Sequence, residues 1–201
     1  MKNKLKILLC LGVIIFCAVI TPFLSIPVYA KYIKVNPKDN QYIIFTQQNI
    51  KTEDMRKKSK LDIDTLEEYM KKFPNLSGIE DTLIDIQDEY NVNALLVLAI
   101  ARLESGNGKS KIAQSKNNLG GITTLNKSNK SIRAYKSFDS KTDCIIYMAK
   151  LLSENYLTDG GKYFNGYTLD DIAKKYSTSS DIWSGLVEDL IYEIQIGLSE
   201  I

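Results

Sequence analysis

Residues 95–122, LLVLAIARLESGNGKSKIAQSKNNLGGI, constrain this chain more than any other stretch. From Ala94 to Leu103 the only polar side chain is Arg102, which predicts a helix buried on most sides and hence the centre of a helical domain. Glu104 is its last side chain. Ser105, Gly106, Asn107 and Gly108 then end the helix, because glycine accepts the left-handed conformation at which helices stop. A carboxylate placed there is expected beside unpaired helix carbonyls and the negative end of the helix dipole, both of which disfavour its ionised form and raise its pKa. A carboxyl group held protonated near neutral pH can act as a general acid. The structural alternative is a solvated glutamate at a helix end.

Composition removes other chemistries. The 201 residues, 44% of them hydrophobic, suit one globular domain plus a targeting segment, and histidine is absent. Without imidazole, serine–histidine and cysteine–histidine nucleophile systems fall away and a catalytic zinc site has no usual ligand, so carboxylates must carry any acid–base work. No metal or cofactor is called for. Of the three cysteines, Cys10 and Cys17 lie in an N-terminal apolar run, leaving Cys144, among Ile145, Ile146 and Met148, as a core thiol.

Residues 1–30 read as an export signal. Lys2, Lys4 and Lys6 precede an apolar run from Ile7 to Ile20, and Val28-Tyr29-Ala30 fits a peptidase site before Lys31. The rival reading is an uncleaved membrane anchor, since no charge occurs from Ile7 to Ala30. The expected location is therefore outside the cell or in its wall, or on the membrane through that anchor. Beyond residue 30 the charge balance is −1, which gives no polybasic case for nucleic acid.

Residues 31–60 read as an extended spacer and residues 61–201 as the functional domain. A helix is predicted from Asp62 to Phe73, stopped by Pro74. Ser77 and Glu80 have capping-box spacing for a helix through Tyr90, and Asn93 is placed to cap the helix that carries Glu104. A short helix over about 110–115 follows, then a small hairpin from Gly120 to Phe138 with NKSNK at its tip. Ser140 with Asp143, and Thr168 with Asp171, have capping-box spacing for helices to Asn155 and about Tyr176. A last helix opens at Ser180 or Asp181 and runs to Ile196.

The run Glu104-Ser105-Gly106-Asn107-Gly108-Lys109-Ser110-Lys111-Ile112-Ala113, followed by Asn117-Asn118-Leu119-Gly120-Gly121-Ile122, resembles the bacterial glucosaminidase domain, glycoside hydrolase family 73. Arg133-Ala134-Tyr135-Lys136-Ser137-Phe138 is similar to that family's FRxYxS strand, and Tyr176-Ser177-Thr178-Ser179-Ser180-Asp181 stands where members often read Y-A-T-D-P. The likeness spans roughly residues 79–194. It implies a lysozyme-like, mainly α domain with a small β-hairpin lobe. It also implies an enzyme that cuts the glycan strands of peptidoglycan at N-acetylglucosamine, with Glu104 as catalytic acid and Tyr176 beside it; the chain is expected to act as a monomer. Asn118 and Gly121 would shape the turn beneath the cleft, and Asn118 would also bond the acetamido group.

Many members carry a second acid on the hairpin, yet residues 122–138 contain no Asp or Glu. Asp139 and Asp143 are the nearest, and both read as helix-start residues. One acid leaves two routes, a sugar 2-acetamido group acting as internal nucleophile or a water held through Tyr176. Tyr135, Tyr163, Tyr167 and Tyr176 are candidates to line a sugar groove, since aromatic faces pack on pyranose C–H faces, whereas Trp183 reads as core. A lytic transglycosylase and a non-catalytic wall-binding protein of the same fold are the alternatives. The N-N-x-x-G-I turn favours the glucosaminidase, because transglycosylases usually show a G-L-M-Q-type segment there.

Overall fold

The computed structural model describes residues 30–35, 42–46, 50–125 and 133–201. The expected signal or anchor, apart from Ala30, and the NKSNK tip lie outside the described residues. The chain divides into two compact units, Met1–Gln48 and Asn49–Ile201. In the first, β1 (Ala30–Val35) pairs antiparallel with β2 (Tyr42–Thr46), Tyr32 opposite Phe45 and Val35 opposite Tyr42.

The expected spacer over 31–60 is thereby corrected, and the domain boundary moves from residue 61 to residue 49. Ile50 and Met55 are buried in the core of the second unit. The Met55 N–H donates to the Tyr167 carbonyl, and the Met55 carbonyl accepts from the Asn93 N–H. Two lone apolar side chains in a polar stretch carry no periodicity, so their burial leaves no pattern to read.

Helix α1 (Ile63–Met70) is capped by Asp62, whose carboxylate accepts from the Thr65 N–H, and it buries Leu66, Tyr69 and Met70. Helix α2 (Glu80–Tyr90) starts without the expected capping box. The Ser77 hydroxyl donates to the Pro74 carbonyl instead, and Glu80 accepts from the Gly78 N–H, so the turn itself absorbs both side chains. Asn93 caps α3 (Ala94–Ser105), accepting from Leu95 and Leu96, as its position predicts.

Every residue of α3 from Ala94 to Arg102 is buried. At roughly 1.5–3 kcal/mol for each large apolar side chain removed from water, α3 is the element the domain is built around. Ser110 caps α4 (Lys111–Lys116). Strands β3 (Thr123–Leu125) and β4 (Arg133–Tyr135) form the small hairpin, Thr123 opposite Tyr135. Both remaining capping boxes form, Ser140 with Asp143 at α5 (Lys141–Tyr156) and Thr168 with Asp171 at α6 (Leu169–Tyr176).

The last helix, α7 (Ser180–Ser199), packs on both α3 and α6, and α2 packs on α5. The second unit is thus mainly helical with a small hairpin, as expected. Among the described residues no helix is long and apolar enough to cross a membrane.

Candidate active site

Glu104 occupies the last turn of α3, and the residues around it are fixed from beneath. Arg102, 3% exposed, donates through Nε to Asn107 Oδ1 at 2.8 Å, through one terminal nitrogen to the Tyr69 hydroxyl at 2.9 Å and through the other to Glu193 Oε1 at 2.8 Å. Its guanidinium carbon lies 4.0 Å from the centroid of the Phe73 ring. One buried cation therefore ties α1, α3, α7 and the turn after Glu104 together. Ser105 completes the turn, its hydroxyl donating to the Ala101 carbonyl and accepting from the Gly108 N–H.

Gly106 ends the helix at φ 60°, in the left-handed conformation predicted for it. The expectation of unpaired carbonyls beside Glu104 is corrected, however. The Arg102 and Leu103 carbonyls accept from the N–H groups of Asn107 and Gly106. Glu104 itself is exposed rather than enclosed. The turn closes the helix end by its own backbone, and the carboxylate stands exposed beside an aromatic wall.

That wall is a row of rings. Trp183, in the first turn of α7, donates its indole N–H to Glu104 Oε1 at 3.2 Å. Its ring stacks on Tyr176, centroids 4.5 Å apart and planes 26° from parallel. Tyr176 lies 5.6 Å from Tyr156, which lies 5.1 Å from Tyr163. Burial, reinforced by the negative charge of Glu104, pushes the Tyr176 hydroxyl above its ordinary pKa, so it stays protonated and able to donate.

Beside the other carboxyl oxygen, Oε2, stands the N-N-L-G-G-I turn. Gly121 has φ 62°, and a Cβ placed there would lie 3.8 Å from Glu104 Oε2. A side chain at this position would be strained by that φ, and its Cβ would touch the oxygen at ordinary van der Waals distance. Asn118 shapes the turn: its amide donates to the Ile122 and Lys136 carbonyls and its Oδ1 accepts from the Ile122 N–H. With Asn118 only 1% exposed and both amide hydrogens in use, the expectation that it bonds an acetamido group is corrected to a purely shaping role. Cys144 lies below, buried, its sulfur accepting from the Leu119 N–H; burial raises the thiol pKa, as suits a core residue and not a nucleophile.

The structure therefore places Gly121 and Trp183 against Glu104, with Tyr176, Tyr156 and Tyr163 following Trp183 in the row of rings, while Tyr135 stands 49% exposed on β4. Tyr167 is drawn elsewhere: its hydroxyl donates to Asp159 and its ring lies 3.3 Å beneath the Arg56 guanidinium. Asp143 is occupied by its capping box. Among the described residues no cluster of acidic or cysteine side chains could hold a metal ion. The core position expected for Trp183 holds for its ring but not for its indole nitrogen. The residue is 7% exposed, but its one polar atom faces Glu104. No periodicity in the sequence distinguishes those two ends of one ring.

The sequence profile of the glucosaminidase family, described as mannosyl-glycoprotein endo-beta-N-acetylglucosaminidase, matches residues 80–195. Two Streptococcus pneumoniae proteins carrying the provisional name endo-beta-N-acetylglucosaminidase are each 33% identical over 113 residues, which is 56% of this chain. The aligned stretch spans 17% and 16% of those longer relatives. Among solved structures, Staphylococcus aureus Autolysin E superposes with a TM-score of 0.57 at 19% identity, covering 80% of this chain and 83% of that one. A catalytic mutant of the same autolysin, a glutamate changed to alanine, was solved with the disaccharide NAG-NAM and matches with the same TM-score and coverage. The fold is the one these autolysin domains share.

Proposed function

The chain belongs to the mannosyl-glycoprotein endo-beta-N-acetylglucosaminidase family, and from that premise we propose that it hydrolyses the β-1,4 glycosidic bonds of cell-wall glycan strands at N-acetylglucosamine. The observation that carries this reading is the placement of Glu104, an exposed carboxyl group between an aromatic wall and the side-chain-free Gly121. An aromatic row beside a carboxyl group suits a sugar, whose C–H face packs on the ring while its hydroxyls reach polar edges.

In the proposed reaction Glu104 donates its proton to the leaving glycosidic oxygen as the C1–O bond breaks. With Asp143 engaged in capping, the nucleophile is supplied by the substrate: the carbonyl oxygen of the 2-acetamido group bonds to C1 as the C1–O bond breaks and forms an oxazolinium ring. The Glu104 carboxylate then takes a proton from water as the water oxygen attacks C1, which reopens the ring and restores the acid. Tyr176, protonated and next to Trp183, donates to the acetamido group or to that water. The protein acts outside the cell or in the wall, reached through the basic and apolar segment of residues 1–30.

Digestion of purified sacculi, read by mass spectrometry, tests this. The expected fragments end in reducing N-acetylglucosamine, and Glu104→Gln loses about 10²–10⁴-fold of the activity with its fold intact. Anhydro-muramic ends would establish a transglycosylase instead. A Glu104→Gln protein as active as wild type would remove Glu104 from the chemistry.

A further inference from the structure

Trp183 touches the carboxyl group on one side only. Its indole nitrogen is a donor and never an acceptor, so the oxygen it faces, Glu104 Oε1, must present a lone pair to it. A carboxylic acid has one O–H. The carbonyl oxygen of a carboxylic acid is the better acceptor, so a donor held at Oε1 favours the hydrogen on the other oxygen, Oε2. That is the oxygen beside Gly121, a residue with no side chain.

The indole cannot easily turn away. It is 7% exposed and stacked face to face on Tyr176, which is itself packed against Tyr156. The donor is therefore held in place before any reaction, at the atom where negative charge appears when Glu104 gives up its proton. A preorganised donor aimed at developing charge lowers a barrier because it needs no reorganisation at that moment.

Resting on the glycosidase reading above, we propose that Trp183 is the positioning residue of the general acid. Its N–H fixes the proton of Glu104 on Oε2, facing the leaving oxygen, and stabilises the carboxylate as that proton departs. It touches no substrate atom and acts only through Glu104. Tyr176 then has a supporting part, since its ring holds the indole plane.

Trp183 is the only tryptophan of the chain, so full-length protein made in a tryptophan auxotroph fed benzothienylalanine is altered at this position alone. That residue keeps the shape and stacking of tryptophan but replaces N–H by sulfur. The expected result is a fall of about ten- to a hundredfold in kcat on glycan strands, the scale of one hydrogen bond to a charged group, with KM and melting temperature unchanged. Fluorotryptophan, which keeps the N–H, should restore the rate.

A second substrate isolates proton donation. On a dinitrophenyl β-glycoside of an N-acetylglucosamine-terminated disaccharide, the leaving group departs without protonation, so kcat/KM of the benzothienyl protein should equal that of wild type. Equal losses on both substrates would show that the ring merely supports the cleft and would overturn the proposal. So would a wild-type rate on glycan strands, which would leave the glycosidase reading standing. If the unmodified protein cleaves neither substrate, the glycosidase reading fails and takes this proposal with it.

Discussion

Arg102 Nε and Asn107 Oδ1 lie 2.8 Å apart, a bond that joins the buried side of α3 to the turn immediately after Glu104. Asn107 is held there at φ 57°, a conformation that costs a non-glycine residue energy unless its side chain is engaged. Arg102 also satisfies the Tyr69 hydroxyl, which burial keeps protonated by raising its pKa to about 12. Methionine at this position would fill much of the same volume and satisfy neither partner. Arg102→Met is expected to cost about 1–3 kcal/mol, chiefly from the buried Tyr69 hydroxyl left without a partner. Urea denaturation measures it. A loss smaller than this would mean that the guanidinium is dispensable to the turn.

Asp54 gives a pH-dependent contribution with a definite sign. Hydrogen bonds from the Arg56 side chain, at 2.9 Å and 2.6 Å, hold its carboxyl below the ordinary value of 3.8. A carboxylate whose pKa is lower folded than unfolded stabilises the fold above the unfolded value, and that contribution disappears as pH falls through the folded value. The pair secures residues 50–60, because Arg56 also lies over Tyr167. Asp54→Asn should therefore be less stable than wild type at pH 7, with the difference shrinking below about pH 3.8. Urea midpoints of both proteins across pH 2–7 decide it, and a difference that grows on acidification would reverse the sign assigned to this group.

The part of the site that local chemistry dictates was legible in the sequence. The apolar run ending in Glu104, the helix stop at Gly106 and the caps at Asn93, Ser140 and Thr168 each depend on residues within a few positions, and each is where its spacing places it. Ser77 shows the limit of that logic, because a capping pair with correct spacing lost to a turn that gave its hydroxyl a nearer acceptor, the Pro74 carbonyl. The contacts that were not legible cross the fold. Trp183 meets Glu104 from 79 residues away and Arg102 meets Glu193 from 91. Both depend on α7 packing against α3, which no local pattern encodes.

Asp143 tests whether a second carboxylate has been overlooked. Its oxygen Oδ2 accepts from both the N–H and the hydroxyl of Ser140, and its side chain is exposed. Asparagine keeps an acceptor there and loses only the charge near the helix start, so Asp143→Asn should cost about 0.3–1 kcal/mol of stability. Its turnover on sacculi should match wild type. Loss of turnover in a folded Asp143→Asn protein, or in Asp139→Asn, would restore a paired-acid mechanism in place of participation by the acetamido group.

Tyr176→Phe separates the two parts that the row of rings assigns to one residue. The substitution retains the ring that stacks on Trp183 at 4.5 Å and contacts Tyr156 at 5.6 Å, so the indole should keep its bond to Glu104 and the melting temperature should hold. Only the hydroxyl is lost. Because burial and the charge of Glu104 keep that hydroxyl protonated, its contribution is as a donor rather than as a base, and no ionisation of Tyr176 should appear in the pH–rate profile. One neutral hydrogen bond to the acetamido group or to the attacking water is worth about 0.5–1.5 kcal/mol, so kcat should fall by up to about tenfold, and further if the bond also orients the nucleophile. The fall should persist on the dinitrophenyl glycoside, where protonation of the leaving group no longer matters, because orienting the nucleophile is a separate task from supplying the proton. A Tyr176→Phe protein with wild-type kcat on both substrates would reduce Tyr176 to a support for Trp183.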